Sequence, residues 1–133
     1  MKKFEILEHR ADLKIKIFGK TKEELFLNAL LAMEEFLQPK KKEKETEREI
    51  KIASLDFSSL LVDFLSEALY LIQTNKEVYN KIEFKKFSNT EIEAKIFGQK
   101  VESFAEDIKG VTYHDLKIKK ETKGWEAIVL FDI

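Results

Sequence analysis

Asp12-Leu13-Lys14-Ile15-Lys16-Ile17-Phe18-Gly19 alternates apolar and polar side chains with a period of two, and within a few residues the pattern changes to that of a helix. Successive side chains on a strand point to opposite faces, so Leu13, Ile15 and Ile17 share one face and the two lysines the other. Gly19 closes the strand. Thr21, with Glu24 three positions on, has capping-box spacing. Leu25, Phe26, Ala29, Leu30, Met33, Phe36 and Leu37 then recur at helical intervals. The stretch predicts a half-buried strand over 12–18 and a helix over 21–37, with Pro39 just beyond it.

The same reading extends outward in both directions. Residues 3–8 read as a short strand, and the charge run at 40–48, KKKEKETER, as a solvated turn leading into a strand through Ile50 and Ile52. Its interleaved glutamates cancel much of the lysines' field, which makes it a poor binding signal. Asp56 can cap a second helix from Phe57 to about Gln73, whose Leu60, Leu61, Phe64, Leu65, Ala68, Leu69 and Ile72 give a broad apolar face. Strands near Tyr79–Phe87 and Glu91–Phe97, joined at Ser88-Asn89, form one hairpin. A strand through Lys117, Ile118 and Lys119, a turn at Lys123-Gly124 and a closing strand form another. The expected fold is α+β: a two-layer sandwich, a mainly antiparallel sheet with two helices packed on one face, in one domain over residues 1–133. Lys-Ile-Phe-Gly occurs at 16–19 and again at 95–98, too short a match to establish a repeat.

At 133 residues the chain is long enough to bury an ordinary core, with 44% hydrophobic residues and 11 phenylalanines to fill it. Lys and Arg number 24 against 25 for Asp and Glu, a net charge of −1, so no global basic field exists to attract nucleic acid. Any RNA contact has to be local. The absence of cysteine excludes disulfides, thiolate metal sites and a catalytic thiol, and is compatible with a reducing cytosol. No signal peptide or membrane span is evident. One proline, four glycines and abundant Lys, Glu and Ile give a composition like that of heat-adapted proteins, a bias that an AT-rich genome could equally produce.

Chemistry is best sought at the end of the chain. The strand Gly124-Trp125-Glu126-Ala127-Ile128-Val129-Leu130-Phe131-Asp132-Ile133 sets the Asp132 side chain beside the terminal carboxylate. Paired carboxylates bind hard cations such as calcium and magnesium. Asp12, in Glu8-His9-Arg10-Ala11-Asp12, can complete the cluster if the two strands are neighbours. Asp63 and Glu67, four apart on the second helix, are a weaker candidate, because acidic pairs at that spacing mostly face solvent.

His9 and His114, the only histidines, fall at strand boundaries, where each could act as acid, base or ligand. Thr112-Tyr113-His114-Asp115 brings four functional groups together in sequence, but strand neighbours face opposite ways and cannot all meet one substrate. Phosphate loops, a nucleophile elbow and a His-Glu-x-x-His helix are all missing, and with them the usual parts of nucleotide hydrolysis and proteolysis. Arg10 and Tyr113 could touch RNA by charge and stacking, without the aromatic cluster of an RNA-binding sheet.

Four segments in order, Glu8-His9-Arg10-Ala11-Asp12, Leu61 to Leu71 (LVDFLSEALYL), Lys109-Gly110-Val111-Thr112-Tyr113-His114-Asp115-Leu116 and Gly124-Trp125 to Asp132-Ile133, together resemble the archease family over nearly the whole chain. Arg10 is a departure, since the family usually has threonine there. The resemblance implies a non-catalytic, cytoplasmic cofactor of the GTP-dependent RNA-splicing ligase of the RtcB type. Such a protein promotes guanylylation of the ligase histidine, supports multiple turnover and broadens nucleotide use in tRNA splicing. It also implies a divalent cation, calcium before magnesium, held by Asp12, Asp132 and Ile133. His9, Arg10, Tyr113 and His114 become candidates for partner contact or support of the metal ligands. RNA is then met only through the ligase, and no membrane is involved. The competing readings are a metal-dependent hydrolase using Asp12 and Asp132 with His9 or His114 as base, and an RNA-binding or chaperone-like module serving an RNA-modifying enzyme.

Overall fold

A computed structural model describes residues 2–9 and 11–133, the side chains of Glu8 and His9 aside. The strand over 12–18 is β2 (Asp12–Gly19), paired with β1 (Phe4–His9) and followed by α1 (Lys22–Leu37). The chain continues through β3 (Pro39–Ala53), α2 (Phe57–Asn75), β4 (Glu77–Phe87), β5 (Glu91–Phe104), β6 (Gly110–Glu121) and β7 (Gly124–Asp132). The fold is α+β, all strand pairing is antiparallel, and the helices pack against sheet. Both expected hairpins form, as β4–β5 and β6–β7. No helix among the described residues is long and apolar enough to cross a membrane.

The strands divide between two sheets, β1-β2-β7-β6 and β3-β5-β4, where the sequence reading draws one. The reason lies in the helices. Each touches both sheets: α1 packs on β2 and on β4, α2 on β6 and on β3. Alternating strand patterns specify an inner face but not which strands share a sheet. The core forms where Leu13, Ile15 and Ile17 of β2, Ala127, Val129 and Phe131 of β7, and Ile92, Ala94 and Ile96 of β5 meet both helices.

Thr21 caps α1 by accepting from the Glu24 N–H at 3.1 Å, while the Glu24 carboxylate reaches back to Lys20 N–H rather than to Thr21 itself. Asp56 caps α2 through the Ser59 N–H at 2.8 Å, and that bond lowers the pKa of its carboxyl. Gln38 and Lys76 end the two helices in the left-handed region, at φ of 48° and 53°. At the β6–β7 turn Gly124 has φ 142°, and a Cβ there would lie 2.4 Å from the Gly19 carbonyl oxygen, so only glycine fits.

The charge run at 40–48 corrects a second expectation: it is strand, not a solvated turn. β3 is an edge strand paired with β5, with register shifts between Lys40 and Glu45, and its charges face water. Charged side chains are a common means of keeping an edge strand from pairing with other chains. Arg48 is the exception. It bonds Glu77, which is fully buried, through Nε at 2.8 Å and Nη2 at 2.7 Å. Lys100 Nζ at 2.7 Å, the Tyr79 hydroxyl at 2.8 Å and the Thr46 hydroxyl at 2.9 Å complete its shell. Burial pushes the Glu77 carboxyl up in pKa, but these donors together hold it well below the usual carboxylate range.

Candidate functional site

β7 runs between β2 and β6, and this placement brings the chain end to Asp12. Asp12 and Asp132 are direct cross-strand partners, with Leu13 and Phe131 as the next pair. Leu13 and Phe131 are fully buried on the core face, whereas both aspartates are exposed, as alternation requires for the outer face. Directly opposed residues have Cβ atoms about 4.5–5.5 Å apart, close enough for two carboxylates to reach one cation. Gly110 lies opposite Asp132 on the other flank, with open space where a side chain would stand. The Lys109 N–H donates to the Asp132 carbonyl at 2.7 Å, and the Ile133 side chain packs against the core. The strand end is therefore tied down from both sides.

Like charges directly opposed across a strand pair repel. Among the described residues no side-chain cation pairs with Asp12 or Asp132, and no set of three His, Cys, Asp or Glu side chains is placed to hold a metal. Two side-chain carboxylates are what the site supplies, acceptor-only oxygens suited to a hard cation.

Tyr113 and His114 lie in β6 where pairing with β7 breaks between Thr112 and Lys117. This bulge puts Asp115 at φ 55°, and Tyr113 and His114 are exposed. The Tyr113 hydroxyl donates to Asp63 of α2, which also accepts from the Ser54 hydroxyl. The Asp63 bond is the main reason that the pKa of the Tyr113 phenol is raised. Asp63 is thus a fixed acceptor rather than half of a helix metal pair, and Glu67 is exposed to solvent. His114 Nε2 lies 3.6 Å from a carboxylate oxygen of its neighbour Asp115. Arg10 and the His9 side chain lie outside the described residues; the His9 backbone pairs with Leu13, one residue from Asp12.

Sequence reasoning passes over Lys109 and Gly110 as parts of this end of the molecule. Their role follows from the β6–β7 register, and the only sequence signal for it is the Lys109-Gly110 pair that opens the third motif.

A family model described as the Archease protein family (MTH1598/TM1083) matches residues 4–133. The protein archease of Methanosarcina mazei is 42% identical, covering 99% of this chain and 97% of its own length. That of Pyrococcus abyssi is 34% identical with full coverage of both chains. Among solved structures, Protein 1598 of Methanobacterium thermoautotrophicum matches over the full length of both chains, at a TM-score of 0.75 and 27% identity. A Thermotoga maritima protein titled an archease and possible chaperone shares the fold at a TM-score of 0.74, with 23% identity and coverage of 97% and 96%.

Proposed function

Because this chain belongs to the archease family, we propose that it is a non-catalytic activator of a GTP-dependent RNA ligase of the RtcB type, acting in the cytoplasm on tRNA splicing. The observation that carries the reading is the placement of Asp12 directly opposite Asp132 at the exposed end of β2 and β7. In this proposal the two carboxylates and the terminal carboxylate of Ile133 hold a divalent cation, calcium in the first instance and magnesium in the second. The charged end then enters the ligase's nucleotide pocket. Phosphoryl transfer depends on positioning and on neutralising developing charge, so a partner can speed guanylylation of the ligase histidine without a nucleophile of its own. Tyr113, clamped to Asp63, and exposed His114 would form the flank that meets the ligase, and His9 and Arg10 are proposed as further partner contacts. RNA is reached through the ligase alone.

The deciding experiment measures ligase guanylylation and turnover with and without this protein, alongside phosphatase and nuclease assays of the protein by itself. Stimulation of the ligase, with no turnover by the isolated chain, is the expected result. Turnover by the isolated chain that is lost in Asp12→Asn would establish the hydrolase reading in its place. Salt-sensitive RNA binding with no effect on the ligase would establish the RNA-binding module.

A further inference from the structure

A cavity of about 560 Å³ opens on the seam between the two sheets, within the range of small-molecule sites, about 300–1,000 Å³. It lies toward the end of β2 opposite Asp12, because the Phe4 in its wall pairs with Ile17. The Lys3 carbonyl, bonded by the Phe18 N–H at 2.9 Å, fixes one side of the mouth, and the left-handed turn at Gln38 that leads into β3 fixes another.

Three features of the lining define a ligand. Phe4, Leu31 and Val78 give it an apolar wall. Lys3 and Lys41 stand at the mouth, and neither forms an ion pair among the described residues. Glu34 of α1 is only 6% exposed, and its Oε2 accepts from the Tyr79 N–H at 2.5 Å. No other hydrogen bond engages this carboxyl, yet among the described residues no buried side-chain oxygen lacks a partner. The second oxygen is therefore not fully buried, and Glu34 lines the cavity.

We propose that this cavity binds a small organic acid with an apolar body, its anionic group met by Lys3 and Lys41 and its apolar part laid against Phe4, Leu31 and Val78. Lining the cavity with Glu34 are Lys41 from β3, Tyr79 from β4, Lys3 from the segment entering β1 and Glu35 from its own helix. Burial raises the Glu34 pKa well above the ordinary value, against the smaller opposing effects of the Tyr79 N–H and Lys41. In its neutral form the carboxyl can donate its proton to an acceptor in the cavity, and it does not repel an anion. Once ionised it does repel one, so occupancy by an acid is linked to protonation of Glu34. An organic cation would show the opposite linkage.

The test uses the full chain and octanesulfonate, whose head group stays ionised throughout. Amide chemical shifts at low pH locate binding, and calorimetry follows affinity as pH is raised through the elevated Glu34 value. The expected result is saturable movement of the Tyr79, Gly98 and Gln99 amides and an affinity that falls about tenfold as rising pH ionises Glu34. Lys41→Glu should weaken binding at low and at high pH, and Glu34→Gln should bind with a flat profile. If Glu34→Gln does not fold, the wild-type profile and Lys41→Glu decide the matter. Movement confined to other amides, a flat wild-type profile, or tighter binding of octyltrimethylammonium would each overturn the proposal.

Discussion

Asp12 and Asp132 place two negative charges face to face, so any cation that settles between them should stabilise the fold by mass action. We expect calcium to raise the melting temperature of the wild type and to have no effect on Asp132→Asn, read by calorimetry with and without chelator. Equal shifts in both would remove Asp132 from the site. Two buried glutamates give a further residue-scale prediction. Glu77 is held below the ordinary carboxyl pKa of 4.5, so its contribution is present above that value and is lost as pH falls through its depressed folded value. Glu34 is held above 4.5, so its contribution is complete below that value and is lost as pH rises through its elevated folded value. Glu77→Gln should cost roughly 2–3 kcal/mol near neutral pH, as expected for lost bonds to charged groups. Arg48 and Lys100 keep access to water, which limits the cost. Urea unfolding of wild type and Glu77→Gln should converge on acidification, and a constant gap would contradict the assignment. Neither glutamate stands out in the sequence, because one falls in an ordinary amphipathic helix and the other is the first residue of a strand.

At the scale of elements, α2 is the clearest case of a pattern that folds as written. Leu65 lies on its apolar face and is fully buried. Leu65→Ala should cost roughly 2–5 kcal/mol in reversible unfolding, and a change near zero would mean that the helix does not pack where it is placed. β6 is less transparent. Its break in pairing is held by Tyr113 bonded to Asp63, fifty positions away in the chain. Tyr113→Phe should leave global stability within about 1 kcal/mol but speed hydrogen exchange at 113–116. Unchanged exchange would show that the bulge is held by other means. β3 is where pattern reading goes wrong: nine consecutive mostly charged residues look like a loop, yet an edge strand can keep its backbone paired with β5 while its side chains face water.

For the whole molecule, function and stability should separate at the chain end. One residue added after Ile133 moves the terminal carboxylate by about 3.3–3.6 Å, more than a metal–oxygen contact absorbs. Under the proposed function, the extended protein should unfold like the wild type and fail to stimulate an RtcB-type ligase. Guanylylation at the wild-type rate would leave the terminal carboxylate without a role. The parts are legible along the chain: the strand and helix periods, both N-caps, the two hairpins, the apolar faces, and the motifs that carry the family resemblance. These are local, set by side-chain spacing along a few turns or one strand. Long-range packing settles that the strands divide into two sheets, that a charged run is an edge strand, and that β7 lies between β2 and β6. Strand partners are chosen by packing between segments far apart in the chain, and a period of two is the same whichever neighbour a strand finds. The meeting of Asp12 with Asp132, the clamp on Tyr113 and the cavity at Glu34 all follow from those long-range choices.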